Sequence, residues 1–182
     1  MTSQKKNYKL LLTIRWVAIA WQIIIITCAK LLHISVHYQA LLTVLLLLGI
    51  TNIISIFYLR NTKSLSDRDV FGQLIIDVLA FSIQLYFSGG LSNPFTGLYL
   101  LHVIIAAILL PARYCWAMVG ISLTCYLFIS LFYTPIIIQH HHNKHLFHLQ
   151  GMFLSYAMSA ILVAYFIVKM SKNIKLQDSK IK

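Results

Sequence analysis

Six long apolar runs, separated by short polar segments, constrain this sequence more than any other feature. The runs cover residues 10–32, 39–59, 70–87, 95–110, 114–138 and 149–169. A helix needs about 20 apolar residues to cross a bilayer, and none of these runs has the period-two alternation of barrel strands. Because 59% of the 182 residues are hydrophobic and only 10% are charged, we predict an all-α, polytopic membrane protein with a bundle of six transmembrane helices.

The distribution of basic residues predicts the orientation of the bundle. If the N-terminus is cytoplasmic, 13 of the 15 Lys and Arg residues lie on the inner side, and only Lys30 and Lys144 lie on the outer side. Cytoplasmic segments of membrane proteins carry such an excess, so we expect both termini in the cytoplasm. The positive charge forms no stripe with interleaved aromatic residues, which argues against a nucleic-acid partner.

The polar C-terminal segment predicts the domain organisation. We expect residues 1–170 to form one transmembrane sensor domain and residues 171–182 to form a cytoplasmic tail that is too short to fold alone. The sequence has no Gly-rich nucleotide loop, no GxSxG motif and only four acidic residues. We therefore expect no enzymatic activity in this chain, because acid–base chemistry needs positioned titratable groups.

A turn-rich segment between the third and fourth runs is the first candidate site. Gly89 and Gly90 permit positive φ and let backbone amides approach a ligand closely. Asn93 is disfavoured in the α region by the proline that follows it, Pro94 is suited to open the next helix, and Phe95 adds an aromatic surface. An ordinary tight connection at the membrane edge is the alternative interpretation.

The third run carries a polar stripe that must face protein or water. At about 100° per residue, four of its polar side chains fall within roughly 60° of one another, namely Gln73, Asp77, Gln84 and Ser88. Asp77 is the only acidic residue inside an apolar run, and such a residue is a functional candidate by default. We favour a structural or coupling role for this stripe, with Asp77 paired to Arg15 or to Arg113.

Histidines provide two further candidates. His102, inside the fourth run, is able to hydrogen-bond a quinone carbonyl or exchange a proton, although a packing role is the simpler interpretation. The run at residues 140–145, together with His148, resembles a metal-binding tract, but no Cys or carboxylate lies nearby and adventitious binding is favoured. A small transporter or metal-binding membrane protein that uses this outer loop is our alternative function, and a purely structural membrane module is a third.

Several stretches of the sequence are similar to one known family. Residues 89–95 (GGLSNPF) match the heptapeptide GGxxNPF, and the chain here resembles the membrane domain of the RegB/PrrB/ActS sensor histidine kinases. Residues 14–22 (IRWVAIAWQ) look like the first-helix pattern of that family. Residues 148–153 (HLQGMF) and 164–166 (AYF) look like the beginning and end of its sixth helix. Residues 77–79 also lie at the usual distance before the heptapeptide.

The resemblance implies a function and a ligand. It implies six transmembrane helices in the bacterial inner membrane and a homodimeric chain. It also implies that the membrane domain senses the ubiquinone pool and relays the redox state of that pool to a cytoplasmic kinase core, which acts on a response regulator. Carried over, the ligand region comprises Gly89, Gly90, Asn93, Pro94 and Phe95, with backbone amides or Asn93 donating hydrogen bonds to the quinone ring. Trp21 and His102 depart from the family pattern, which has Gly and often Pro there, and the phosphoacceptor and ATP-binding motifs are missing from this chain.

Overall fold

The structure, a computed structural model, describes residues 3–132, and all the regular elements in this range are helices. Its helices are α1 (Ser3–Leu31), α2 (Tyr38–Asn61), α3 (Asp67–Phe87), α4 (Tyr99–Leu109) and α5 (Ala112–Leu131). Two short 3-10 helices, Gly90–Ser92 and Pro94–Leu98, connect α3 to α4. The all-α prediction is confirmed, and the sixth predicted run, residues 149–169, lies outside the described residues.

The surface of the helices has the character expected in a bilayer. Within residues 3–132, α1, α2, α3 and α5 are long and apolar enough to span a membrane, whereas the segment Pro94–Leu109 is shorter. Large apolar side chains are exposed along these helices, as shown by Trp116 and Leu131, each at 75% exposure. A soluble monomer rarely exposes contiguous apolar surface on this scale, so these faces suit contact with lipid.

Helix α3 occupies the centre of the bundle and packs against α1, α2, α4 and α5. One of its faces carries Val70, Leu74 and Val78, spaced four residues apart and fully buried, as expected for side chains on one helical stripe. These belong to the larger core, which α1, α4 and α5 complete. A smaller apolar cluster joins α1, α2 and α3 around Ile19 and Ala80.

The ends of the helices follow local sequence signals. Ser66 and Asp69 form a capping box that starts α3, with the Ser66 amide donating to Asp69 Oδ2 at 2.7 Å, so α3 begins before the predicted start at residue 70. Leu110 is extended and Pro111 precedes α5, because a residue before proline avoids the α region. The predicted fifth run extends to residue 138; α5 ends at Leu131, and residues 133–138 of that run lie outside the described residues.

The two ends of the bundle differ in charge. At one end the Asn7 amide donates to the carbonyl of Leu109 at 2.9 Å, which brings the start of α1 next to the α4–α5 connection. At the other end the amide of His37 donates to the carbonyl of Phe87 at 3.4 Å. The first end carries most of the basic residues of the described range: Lys5, Lys6, Lys9, Arg60, Lys63, Arg68 and Arg113. We call it the basic end, and the segment at residues 89–95 lies at the opposite end.

Candidate functional site

The backbone of the segment at residues 89–95 depends on its two glycines. Gly89 has φ 103° and Gly90 has φ 54°, a region in which a Cβ atom costs roughly 1–2 kcal/mol. Both residues are buried, and their carbonyls accept hydrogen bonds from the amides of Ser92 (3.0 Å) and Asn93 (3.1 Å). The glycines therefore create a tight, self-bonded loop directly after α3.

The side chain of Asn93 is committed to folding this loop. Asn93 is extended (φ −76°, ψ 124°) and only 8% exposed. Its amide group donates to the carbonyl of Ser88 at 3.0 Å and to Ser88 Oγ at 2.7 Å, and its Oδ1 accepts from the Phe95 amide at 2.9 Å. Both amide hydrogens are thus occupied, so Asn93 has no free N–H for a quinone carbonyl in this conformation, contrary to the sequence-based expectation.

The residues after Asn93 begin the fourth transmembrane segment. Pro94 is the first residue of the 3-10 helix Pro94–Leu98, a position where its missing N–H is not needed. Phe95 is half-buried, so part of this residue is accessible at the end of the bundle that carries the loop. Gly97 is exposed, and a Cβ atom added there would meet no atom within 4 Å.

Polar contacts connect the loop to α1 through the half of α3 that is nearer the loop. The hydroxyl of Ser88 donates to the carbonyl of Gln84 at 2.6 Å, and the Gln84 amide donates to Gln22 Oε1 at 3.2 Å. Gln84 is 7% exposed. A continuous series of hydrogen bonds thus leads from the loop through Ser88 and Gln84 to Gln22 of α1.

The half of the same α3 face that is nearer the basic end holds a buried ion pair. Arg15 Nε donates to Asp77 Oδ1 at 2.6 Å, and the side chains are 2% and 15% exposed. A second guanidinium nitrogen, Nη2, donates to the carbonyl of Gln73 at 3.0 Å. Arg113, the other predicted partner, is exposed and lies 4.8 Å from the centroid of the Tyr114 ring. Hydrocarbon makes an unpaired charge costly, so this pair holds α1 against α3.

Helix α2 supplies two polar residues that the sequence analysis missed. The hydroxyl of Ser55 donates to Gln73 Oε1 at 3.1 Å, and the Asn52 amide donates to the carbonyl of Leu12 at 3.1 Å. Asn52 is fully buried. Their spacing in the sequence could have indicated this contact, because polar residues three positions apart in an apolar run lie on one helical face.

His102 lies in an aromatic cluster below the loop. Its ring is 5.5 Å from that of Phe81, and Phe81 contacts the ring of Tyr99 at 5.1 Å. His102 Nδ1 lies 3.2 Å from the carbonyl of Leu98, and the Tyr99 hydroxyl lies 2.7 Å from Ser82 Oγ. The structure therefore places His102 against Phe81 of α3, on the helix that follows the loop.

Metal binding has no support from the part of the chain that the structure describes. Residues 3–132 contain no group of three or more His, Cys, Asp or Glu side chains that could hold a metal ion. The predicted metal-binding tract at residues 140–148 lies outside this range. That alternative stays a prediction.

Comparison with known proteins gives one match. The model of a family described as the PilS-like transmembrane domain, a domain of six transmembrane helices, matches residues 1–180. No curated protein and no solved structure matches the chain. The match confirms the predicted six-helix membrane fold, and it supports a membrane domain of the sensor-kinase type without singling out the RegB/PrrB/ActS group.

Proposed function

Because the chain belongs to the PilS-like transmembrane domain family, we propose that it is the sensing module of a two-component sensor histidine kinase in the bacterial inner membrane. In this proposal a cytoplasmic kinase core, which belongs to the full system, supplies the enzymatic chemistry and passes phosphate to a response regulator. The module itself, residues 1–170, has no catalytic role and acts as a homodimer.

The charge of the bundle supports the proposed orientation. Seven basic side chains lie at the basic end, whereas Lys30 lies towards the opposite one. Cytoplasmic ends of membrane proteins carry such an excess of Lys and Arg, so both termini are cytoplasmic in this proposal. The segment at residues 89–95 is then on the outer side.

Ubiquinone is the ligand that we propose for the outer side. The proposal rests on the resemblance of residues 89–95 to the GGxxNPF heptapeptide. The chemistry of ubiquinone suits the residues present, because a quinone has an apolar tail that partitions into lipid and a ring that packs on aromatic surfaces such as Phe95. Since both amide hydrogens of Asn93 are taken, we assign Asn93 the role of shaping the loop and not that of donating to the ring.

One observation carries the sensing role: the loop is hydrogen-bonded to the same α3 face that binds α1. Ser88 connects Asn93 to Gln84, and Gln84 contacts Gln22. Ligand binding shifts a conformational equilibrium only through differential affinity for the two states. A ligand that favours one conformation of the loop would therefore favour one packing of α3 against α1, and the change would pass to the kinase through the chain beyond residue 169.

A binding experiment tests this proposal. The purified chain in lipid nanodiscs is titrated with ubiquinone-1 by isothermal titration calorimetry, with empty nanodiscs as the background. Asn93→Ala removes three hydrogen bonds of the loop and is expected to weaken binding at least about tenfold, since a loss of 1.4 kcal/mol corresponds to that factor. Asn61→Ala, at an exposed helix end on the basic side, is the matched control and is expected to bind like the wild type.

Two outcomes contradict the proposal in different ways. If the wild-type chain binds no ubiquinone-1 above the lipid background, the ligand is wrong. If Asn93→Ala binds as tightly as Asn61→Ala, the ligand stands but the assignment to residues 89–95 is wrong.

A further inference from the structure

We infer that a groove between α1 and α2 holds one acyl chain of an anionic phospholipid whose phosphate contacts Lys30. The inference requires only that the chain spans a membrane, so it goes beyond the proposed function and depends neither on the quinone nor on the orientation. It follows from a cavity that lies away from residues 89–95 and from a basic side chain without an acidic partner among the described residues.

The groove is a cavity of about 340 Å³ on the surface of the bundle. Ile19 and Leu45, which are 7% and 5% exposed, form its bottom, and exposed side chains such as Leu46 and Ile50 form its sides. Every described residue that lines it is aliphatic or glycine. Its volume is within the range of ligand pockets. The part of a ligand that lies in it must be hydrocarbon, because a polar group would lose its hydrogen bonds there.

Gly49 makes room in the groove near the middle of α2. A Cβ atom added to Gly49 would meet no atom within 4 Å, so the missing side chain leaves open space along the helix. An unfilled gap at an apolar surface forfeits dispersion contacts, which a flexible hydrocarbon chain restores. The groove therefore suits an acyl chain that passes beside Gly49.

Lys30 lies on the stripe of α1 that borders the groove. It follows Ile23 by seven residues, which make two helical turns, or about 10 Å, towards the end of the bundle that carries residues 89–95. We call this the loop end. The side chain of Lys30 is exposed and forms no ion pair with a described residue, because the acidic side chains of α3 lie at the basic end or are bound to Arg15. Lys30 is thus available to an anion at the membrane surface.

The register of the antiparallel helices α1 and α2 follows from one hydrogen bond. The Asn52 amide donates to the carbonyl of Leu12 at 3.1 Å. Ile23 is eleven residues beyond Leu12, and Leu42 is ten residues before Asn52, so Ile23 and Leu42 lie at nearly the same level, where both line the groove. This level is the end of the groove that is nearer Lys30.

The path from Lys30 to Gly49 has the length of one lipid. From Lys30 to the level of Ile23 and Leu42 it measures about 10 Å, and Gly49 lies seven residues further along α2, at about 1.5 Å per residue. The total is roughly 21 Å, and half of a bilayer with its headgroups measures about 20–22 Å. A phospholipid whose phosphate contacts Lys30 therefore has an acyl chain that ends beside Gly49.

The charge of Lys30 favours a headgroup with net negative charge. Phosphatidylglycerol carries one net negative charge, whereas the choline group of phosphatidylcholine cancels the charge of its phosphate. A basic residue near the membrane surface contributes about 1 kcal/mol to the attraction of anionic lipid, which corresponds to about a fivefold preference, since 1.4 kcal/mol is tenfold.

Photochemical labelling tests the inference. The full chain in phosphatidylcholine nanodiscs is irradiated with a small fraction of phosphatidylglycerol that carries a diazirine at the end of one acyl chain, and labelled residues are mapped by mass spectrometry of peptides. We expect more label on residues 46–53 than on residues 123–131, an exposed apolar stretch of α5 outside the groove. The same probe with a choline headgroup is expected to label residues 46–53 about fivefold less.

Two variants with matched controls test the two parts of the site. Lys30→Gln is expected to bring the labelling ratio of the two probes close to one, whereas Lys63→Gln, exposed at the basic end, should keep it. Gly49→Leu places a side chain in the groove and is expected to reduce the label there to that on residues 123–131. Gly120→Leu on α5 also has open space around its Cβ atom and should leave the label in the groove unchanged.

The inference fails in any of three cases. Label on residues 46–53 that is no stronger than on residues 123–131 would mean that the groove retains no particular chain. Equal labelling by the two probes, or a preference that survives in Lys30→Gln, would mean that Lys30 does not select the headgroup. Efficient formation of disulfide-linked dimers by Gly49→Cys, without native cysteines, would mean that a second copy of the chain occupies the groove. None of these outcomes contradicts the proposed function.

Discussion

Replacing Asp77 with Asn tests how strongly the buried ion pair holds α1 against α3. The substitution keeps the shape of the side chain and removes its charge. Arg15, whose side chain is 2% exposed, would then carry a positive charge inside the bundle with only neutral acceptors beside it, namely the Gln73 carbonyl and the amide oxygen of the substituted side chain. Its Nη1 atom is already buried without a partner among the described residues, so little remains to compensate the charge.

The expected magnitude follows from the cost of breaking a buried pair on one side. Removing one partner of such a pair costs about 3–5 kcal/mol, because the other charge is left uncompensated. Replacing both partners with apolar residues of similar size is often neutral or stabilising. We therefore expect Asp77→Asn to lose about 3–5 kcal/mol of the free energy of unfolding, and the double variant Arg15→Met with Asp77→Leu to recover most of that loss.

The assay is reversible unfolding in mixtures of sodium dodecyl sulfate and a mild detergent, followed by tryptophan fluorescence. Trp16, next to Arg15, reports on the environment of α1. Asp67→Asn is the matched control, because Asp67 lies at the basic end and accepts one long hydrogen bond, 3.3 Å from Gln4 Nε2. Asp67 is half-buried, but its single hydrogen bond is long and joins it to an uncharged side chain, so we expect this control to change the free energy of unfolding by less than about 1 kcal/mol.

Two results would refute the reasoning. A loss in Asp77→Asn no larger than that in Asp67→Asn would mean that the pair contributes nothing to packing. A double apolar variant that is at least as unstable as Asp77→Asn would mean that the lost charge of Asp77 is not the cause of the instability, and that shape or packing at these positions is.

Two further predictions concern the loop and the orientation. Gly89→Ala and Gly90→Ala each place a Cβ atom at positive φ and are expected to lower the free energy of unfolding by roughly 1–2 kcal/mol. Gly97→Ala, which has open space around the added Cβ, is the control and should leave the free energy of unfolding unchanged in the same assay. Equal effects of all three substitutions would contradict the loop geometry. The orientation is tested by cysteine labelling in a background without native cysteines, because Ser92 and Ser64 are exposed at opposite ends of the bundle. A membrane-impermeant maleimide should label Ser92→Cys in intact cells and Ser64→Cys only after permeabilisation. The reverse pattern would overturn the proposed orientation.

Hydrophobicity predicts the membrane-spanning elements well and their ends less well. The apolar runs place the five described helices correctly along the sequence, because a spanning helix must bury its backbone in hydrocarbon whatever its neighbours are. The start of α1 is different: it begins at Ser3, ahead of the predicted residue 10. The lysines among residues 3–9 lower the mean hydropathy of this part of α1, so an apolar run does not include it. Tyr8 nevertheless belongs to the core and is 1% exposed.

The backbone conformation of the candidate site could be predicted from the sequence, but its side-chain contacts could not. The Gly–Gly and Asn–Pro pairs indicate local φ and ψ values, since these are set by sterics within a few residues. The partner of Asp77 was not predictable, because the sequence offers both Arg15 and Arg113 as candidates and only the helix packing selects Arg15. The contacts of Asn93 with Ser88 likewise depend on how the chain turns after α3.

The 3-10 start of the fourth segment affects how far it reaches across the membrane. Five residues at about 2.0 Å and eleven at about 1.5 Å extend roughly 27 Å, close to the hydrocarbon thickness of about 30 Å. The tighter winding thus lengthens a short segment by a few ångströms. In the proposed orientation, a segment of this length would keep the GGLSNPF loop close to the lipid headgroups, where a molecule diffusing laterally in the leaflet would meet it without first leaving the membrane.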